Sequence, residues 1–243
     1  MLKPTFTFLG LLLATAAALP ANVGSLYSHN PSALSPRSTG SCATKATQTF
    51  GDPDQNGAGI QLKNGDSQSR SYFVYQNSCD YIPLKYITIG AGQTQFVSLP
   101  AGFQGRVVRG TEAVNLDGQP HTLGTWLELG LDGTGKGWAD VSLIRGCDGA
   151  VSVAAMDGSG VSTGFDDSSI LDGAPEGAYD TKQSGAKVLK ATEGLLSVVV
   201  DVVRDYLASK LGYDKAYIDD YHGNPVICSS NERFSATFYH GRP

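Results

Sequence analysis

The sequence predicts a mostly β protein, a β-sandwich with a C-terminal helical insertion before its closing strand. Residues 126–131 and 138–143 alternate apolar and polar side chains around a glycine-rich turn, as in a half-buried hairpin. From residue 71 onward, short β-branched and aromatic runs recur between Gly and Pro turns. One stretch, within residues 185–212, instead repeats apolar residues at three- and four-residue steps, which is typical of a helix.

The composition is that of a globular protein, with 41% hydrophobic and 17% charged residues among 243. The net charge is -5, and no cluster of Lys and Arg appears. Because phosphate contacts need clustered cations, we expect no nucleic-acid partner. No run beyond the N-terminal region is apolar and long enough to cross a bilayer, so we expect no membrane partner either. We expect a monomer.

The N-terminal region has the features of a secretory signal peptide over residues 1–18. Lys3 supplies a positive charge, residues 8–13 form an apolar core, and Ala14, Ala16 and Ala18 are small residues suited to cleavage. Residues 19–41 are rich in Ser, Pro and Ala and are predicted to be a flexible or pro-segment. The remaining residues, 42–243, are predicted to form a single secreted, extracellular domain.

The predicted strands follow one another at short intervals. Gly and Pro turns separate them, as is usual in sandwiches and barrels. In chain order they cover residues 72–75, 86–89, 94–99 and 105–109, the two hairpin runs, and residues 150–154.

The C-terminal part differs in composition. Residues 157–179 are a Gly, Ser and Asp-rich loop, and residues 185–212 are predicted to contain the helix. Gly212 supplies its stop signal, while Gly194 weakens its first half, so the helix could begin after that residue. Residues 213–224 form a polar and aromatic loop before the closing strand at residues 234–239.

The hairpin defines a candidate working surface. In the first strand, the side that faces the core holds Leu127, Leu129 and Leu131. Trp126 and Glu128 therefore lie on the outer side. In the second strand, Trp138 and Asp140 lie on that same outer side. Each strand therefore contributes one tryptophan and one carboxylate to a single face.

Four cysteines, Cys42, Cys79, Cys147 and Cys228, are expected to form two disulfides in a secreted chain. Three connectivities are possible, and the spacing does not choose between them.

Several motifs resemble the thaumatin-like (osmotin-like) family of secreted β-sandwich proteins. The most specific is Asp140-Val141-Ser142-Leu143-Ile144-x-Gly146, on a strand that follows the one containing Glu128. Preceding it in the chain are Asn77-x-Cys79, Gly92-x-Thr94 and Gly105-Arg106. The resemblance is distant and covers about residues 71–153 and the last strand. Members of the family have many more cysteines than this chain, and the C-terminal helix has no counterpart that can be aligned.

The resemblance implies an acidic cleft that binds β-glucan and, in some members of the family, cleaves it. By motif, Arg106, Glu128 and Asp140 occupy the positions of the family's arginine, glutamate and first aspartate. The position of the second aspartate holds Arg145, and Asp148 is a candidate to replace it. Glu128, Asp140 and Asp148 are thus the candidate catalytic carboxylates.

Three functions remain open at this point. A β-glucan-binding module would use Arg106 and Arg145 as polar contacts and Trp126 or Trp138 as a platform on which a sugar ring stacks. A glycoside hydrolase would use Glu128 with Asp140 or Asp148, since hydrolysis needs two carboxylates that flank the bond. A non-catalytic secreted interaction or effector protein would use the sandwich only as a scaffold.

A second polar cluster comprises Asp219, Asp220 and His222. These residue types could bind a divalent metal or act as acid and base. Tyrosines are interleaved with them, and Gly223-Asn224-Pro225 follows, so a polar turn is the favoured interpretation. We expect no metal and no cofactor.

Overall fold

The computed structural model describes residues 41–194 and 198–243. The predicted signal peptide and nearly all of the predicted segment at residues 19–41 lie outside the described residues, as does Leu195 of the predicted helix. In chain order the elements are β1 (Thr47–Thr49), β2 (Gly59–Gly65), β3 (Arg70–Gln76), β4 (Lys85–Ile89), β5 (Thr94–Ser98), β6 (Gln104–Gly110), α1 (Glu112–Asn115), β7 (Trp126–Leu131), β8 (Gly137–Ser142), β9 (Gly149–Ala155), β10 (Ser162–Gly164), β11 (Tyr179–Thr181), β12 (Lys187–Leu189), α2 (Asp201–Leu211), β13 (Ile227–Ser229) and β14 (Arg233–Gly241).

The strands form two main sheets. The first has seven strands in the order β1-β4-β3-β6-β7-β8-β13, and the second has five in the order β10-β9-β14-β2-β5. The closing strand β14 lies in the middle of the second sheet, parallel to β2 and antiparallel to β9. A separate two-stranded hairpin consists of β11 and β12.

One hydrophobic core lies between these elements. It includes apolar side chains from both sheets and from α2, among them Ile60, Leu62, Leu127, Leu129, Val141, Val203, Leu207, Phe234 and Phe238. The predicted mostly β sandwich, with a helix before its closing strand, is therefore confirmed. Within residues 41–194 and 198–243, no helix combines the length and the apolar character needed to span a membrane.

The predicted hairpin at the centre of the chain is confirmed as β7 and β8. The strands are antiparallel, with Glu128 opposite Asp140 and Leu127 opposite Val141. The leucines and Val141 are buried in the core, as their alternation predicts.

The helix is shorter than its apolar pattern predicts, because α2 begins only at Asp201. Residues 187–189 form β12 instead, and Gly185 makes the preceding turn at a φ of +88°. Glycine adopts this left-handed backbone conformation at little cost in free energy, because it has no Cβ. Gly185 therefore favours the turn of the hairpin. The predicted stop is correct, since Gly212 caps α2 at a φ of +68°.

Strand β2 is not predicted by the sequence pattern, although it pairs with the closing strand along its whole length. Its inward positions are Ile60, Leu62 and Asn64, all 0% exposed. Asn64 is satisfied by Tyr72, which donates to its Oδ1 at 3.0 Å, and by the carbonyl of Ile89, which accepts from its Nδ2 at 2.8 Å. A polar residue at a core position interrupts the apolar alternation, which explains why the sequence pattern does not predict this strand.

One disulfide joins Cys42 to Cys79, and the prediction of a second is wrong. Cys147 and Cys228 are free thiols. Cys147 is buried in the core beside Leu189, whereas Cys228 is exposed on the edge strand β13. A disulfide between a core thiol and an edge thiol would require the backbone to move.

The two free thiols should differ sharply in reactivity. In the native protein, Cys228 should react quickly with Ellman's reagent, and Cys147 only after unfolding. Burial raises the pKa of Cys147 to about 11, so its reactive thiolate is scarce as well as inaccessible. The measurement is the time course of thiol release with and without denaturant. Cys228→Ser should abolish the fast phase; a fast phase that persists in this variant would contradict the assignment.

Candidate functional site

A line of polar side chains crosses the outer side of the first sheet. Tyr75 on β3, Arg106 on β6, Glu128 on β7 and Asp140 on β8 are successive cross-strand partners. Strand pairing thus brings together three residues that the resemblance assigns to one cleft. We call Arg106, Glu128 and Asp140 the acid row.

The acid row is buried, so the expectation of an open working surface there is wrong. Arg106 and Glu128 are each 3% exposed and Asp140 is 1% exposed. The loop after α2 packs along this side of β8, where Tyr217 forms an isolated β-bridge with Ser142. The amide of Tyr217 donates to the carbonyl of Val141 at 2.8 Å. Burial, followed by the charges of Asp140 and Glu128, raises the pKa of Tyr217 to about 12, so its phenol lies near the row.

Glu128 and Asp140 share a hydrogen bond between their carboxyl groups. Burial, and then the charge of Asp140, raise the pKa of Glu128 well above its usual range. Burial also raises the pKa of Asp140, although the hydrogen bond from Glu128 opposes this. Glu128 therefore keeps its proton and donates it in the hydrogen bond to Asp140, so the pair holds at least one proton near neutral pH.

Arg106 is held between an acid and two aromatic rings. Its Nη2 donates to Asp80 Oδ1 at 2.7 Å. Its guanidinium carbon lies 4.0 Å from the ring centroid of Trp126 and 4.8 Å from that of Tyr75. These cation–π contacts fix the guanidinium beside Glu128.

The two tryptophans lie on either side of the acid row along the strands. Trp126 is opposite Ser142, and Trp138 is opposite Gly130 and next to Cys228 on β13. Both are half-buried. Arg106 covers Trp126, whose Nε1 donates to the carbonyl of Thr122 at 2.9 Å, so Trp138 is the better candidate for a stacking platform.

Three buried polar atoms of this outer face have no hydrogen-bond partner within residues 41–194 and 198–243. They are Arg106 Nε, Asp140 Oδ1 and Ser142 Oγ. Polar atoms without partners are rare in protein interiors, and they indicate capacity to bind a polar ligand or water.

The second predicted cluster divides into two parts. Asp219, 1% exposed, accepts the amides of Tyr221 and His222, and its carboxylate lies 2.9 Å from Nδ1 of His222. This is the polar turn that the sequence favours. In the described parts of the chain, no group of three or more His, Cys, Asp or Glu residues could hold a metal ion.

Asp220 instead lies near enough to the acid row for its charge to contribute to the raised pKa of Glu128. Burial and then Glu193 raise the pKa of Asp220 to about 6, whereas the positive charge of Arg145 lowers it. Arg145 thus lies beside Asp220, at the edge of the row. Although its carboxyl is partly shielded by these neighbours, much of Asp220 is open to solvent, so it belongs to the rim of the site.

Glu193 is a site residue that the sequence pattern misses. It is 2% exposed, accepts the amide of Asp220 at 2.8 Å, and shares a side-chain hydrogen bond with the Asp220 carboxyl. Glu193 lies within the stretch whose periodicity predicts a helix, and no local signal distinguishes it there.

Asp148 does not join the acid row, which corrects its assignment as a candidate catalytic carboxylate. It is 0% exposed and forms ion pairs with Arg109 at 3.1 Å and Lys182 at 2.9 Å. Arg109 follows Arg106 by three positions on β6, so it lies on the opposite side of the sheet. The resemblance places no motif residue at Asp148, and its surroundings give it a structural role.

Comparisons with known proteins show a distant similarity of fold. No protein-family model matches the chain, and no curated protein is similar to it in sequence. Among solved structures, the protein elicitor MoHrip2 from Magnaporthe oryzae is similar over 75% of this chain and 99% of its own, with 11% identity and a TM-score of 0.38. The thaumatin-like xylanase inhibitor TLXI is similar over 74% of this chain and 99% of its own, with 13% identity and a TM-score of 0.39.

The shared proton of Glu128 and Asp140 should make stability depend on pH. A carboxyl whose pKa is raised on folding keeps its proton where the unfolded chain has lost it, so the free energy of unfolding falls as pH rises. Glu128→Gln keeps a donor to Asp140 without a proton to lose. Between about pH 5 and about pH 8, this variant should gain at least about 1 kcal/mol over the wild type, measured by urea denaturation.

The control for this prediction is Glu176→Gln, which removes an exposed acid. It should follow the wild-type dependence on pH. Equal pH dependence for the wild type and Glu128→Gln would contradict a shared proton.

Asp148→Asn should lower the free energy of unfolding by about 3–5 kcal/mol, because it leaves Arg109 and Lys182 buried without their counter-charge. Thermal or urea denaturation measures the loss. Asp166→Asn, at an exposed position, should change stability by less than about 0.5 kcal/mol. An equally small effect of Asp148→Asn would contradict its structural role.

Proposed function

We propose that this chain is a secreted, thaumatin-like protein that binds cell-wall polysaccharide, and specifically β-glucan, without cleaving it. The observation that supports this best is the acid row, a line of buried polar groups with unused hydrogen-bonding atoms between two tryptophans. The disulfide between Cys42 and Cys79 fits an extracellular location, because such bonds persist in oxidising compartments.

The polar groups of the row suit the hydroxyl groups of a sugar. A hydroxyl both donates and accepts, so it needs a donor and an acceptor close together. Arg106 Nε is a donor and Asp140 Oδ1 is an acceptor, and neither has a hydrogen-bond partner among the described residues. Because the pair keeps a proton, it carries at most one negative charge, and the guanidinium of Arg106, which also pairs with Asp80, lies beside it. A neutral polysaccharide therefore fits this site better than a charged one.

The rim supplies the first contacts with the ligand. Trp138 is half-buried and offers an aromatic surface for the C–H face of a sugar ring. Asp220 is exposed and Arg145 half-buried beside it, so both can hydrogen-bond to hydroxyls outside the row. We propose that sugar units dock on this rim and that hydroxyls reach the buried row as the rim side chains shift.

The geometry of the carboxylates does not favour a glycoside hydrolase. The two catalytic carboxyls of such enzymes stand about 5–10 Å apart, with the scissile bond between them. Glu128 and Asp140 instead contact each other through a hydrogen bond, which leaves no room for a bond to be cleaved. Asp148 is occupied by Arg109 and Lys182 on the other side of the sheet.

The proposal is tested by a pull-down on insoluble β-1,3-glucan, combined with an assay for released reducing sugar. The wild type should bind without releasing sugar. Trp138→Ala should weaken binding at least about tenfold, since it removes the proposed stacking platform. Glu128→Gln is included for the assay of sugar release. Phe50→Ala is the matched control, because Phe50 is an aromatic residue with 80% exposure remote from the row.

Each outcome bears on one of the three functions. Sugar release that Glu128→Gln abolishes would overturn binding without cleavage in favour of hydrolysis. No binding and no release would overturn both carbohydrate functions and leave a secreted interaction or effector protein. Equal losses in Trp138→Ala and Phe50→Ala would show nonspecific adsorption to the glucan and contradict the proposed site.

A further inference from the structure

A pocket of about 230 Å³ lies away from the acid row. One wall is formed by the end of β6 and by the segment that contains α1, and the other by the turn between β11 and β12. Its volume is below that of pockets for drug-sized ligands, so it suits a molecule about as large as one sugar unit.

The pocket has an unusual charge for this protein. Arg109, Lys182 and His121 line it, and none of its lining side chains is acidic. Pro243 also lines it, and its main-chain oxygen accepts a hydrogen bond from Ser184 Oγ at 2.7 Å. The whole chain, by contrast, has a net charge of -5. The imidazole of His121 is paired with Asp117 at 3.0 Å. Arg109 and Lys182 are therefore the cations that determine the charge of the pocket.

Those two cations share one counter-ion. Asp148 lies 3.1 Å from Arg109 Nε and 2.9 Å from Lys182 Nζ, and the three side chains are 1%, 2% and 11% exposed, respectively. The buried group therefore holds one positive charge in excess. The carbonyls of Tyr239 and Ala150 accept hydrogen bonds from Arg109, but they contribute only partial charges. Because an uncompensated buried charge is costly, an anion in the adjoining pocket would be stabilised.

The rest of the lining favours a hydroxylated ligand. Thr111, Thr122 and Thr181 contribute hydroxyl groups, and Gln183 contributes an amide. Val114 and Leu123 provide apolar surface that can pack against carbon atoms. Hydroxyl and amide groups beside a small apolar surface are a usual combination for binding sugars.

We propose that this pocket binds a small hydroxylated carboxylate, of which a hexuronic acid is the simplest type. The carboxylate of the ligand faces Lys182 and Arg109, and its hydroxyl groups contact the threonines and Gln183. This site is separate from the acid row and does not depend on the proposed binding of β-glucan.

The experiment is isothermal titration of the full chain with D-glucuronate and, separately, with D-glucose. The two probes have the same ring, and only glucuronate has a carboxylate. We expect glucuronate to bind at least about tenfold more tightly than glucose. Sulfate is titrated as a third probe, and sulfate binding as tight as glucuronate would overturn a site built for a hydroxylated ligand.

Two variants test the location and the role of charge. Lys182→Met leaves Asp148 paired with Arg109, so the fold keeps a balanced ion pair, and glucuronate affinity should drop at least about tenfold. Val114→Phe fills the pocket without changing its charge and should abolish binding. Lys187→Met, at an exposed lysine of the same hairpin, is the matched control and should bind as the wild type does.

Three results would overturn this proposal. No heat with glucuronate, or equal affinity for glucose, would exclude a carboxylate site. Binding that survives both Lys182→Met and Val114→Phe would place the ligand elsewhere. Circular dichroism of each variant separates loss of binding from loss of folding, and an unfolded variant is replaced by Gln183→Ala, for which reduced glucuronate affinity supports the proposal and unchanged affinity contradicts it.

Discussion

The register of β7 against β8 is the constraint on which the site depends. Leu127 and Val141 face each other in the core, and two-residue alternation then requires Glu128 and Asp140 to face each other on the outer side. A slip of one residue would turn the acids inward and the apolar residues outward, at a cost of several buried side chains. The core thus provides the free energy that holds two carboxyl groups in contact. Two like charges would otherwise separate, and here they remain together by sharing a proton.

Two of the buried acidic centres among the described residues differ in how their charge is balanced. Glu128 and Asp140 reduce their charge by holding one proton between them, so their state responds to pH. Asp148 is instead paired with Arg109 and Lys182. The second centre joins β6 to the residue after β11, which ties the first sheet to the small hairpin. The first centre can therefore exchange protons with solvent as pH changes, while the second is a structural link with positive charge in excess.

The parts of the fold that could be predicted from the sequence are those determined by local pattern. The β7–β8 hairpin follows from period-two alternation around glycines, and the end of α2 follows from Gly212. The parts that could not be predicted depend on contacts between distant segments. The sequence pattern misses β2 because the polar side chain of Asn64 occupies a core position. Its hydrogen bonds are made with Tyr72 and Ile89, which are distant in the sequence. The burial of the acid row likewise depends on the loop after α2, whose packing against β8 is a tertiary event.

The same burial separates the exposed rim of this site from the acid pair beneath it. Glu128 and Asp140 lie below the surface, and the exposed carboxyl of the cluster belongs to Asp220, which Glu193 holds in place from within. At the position where the thaumatin-like resemblance implies a second aspartate, Arg145 adds a positive charge beside Asp220. This substitution balances the rim instead of making it more acidic. A balanced rim above a proton-sharing pair has little attraction for a cation, and it offers both donors and acceptors of hydrogen bonds.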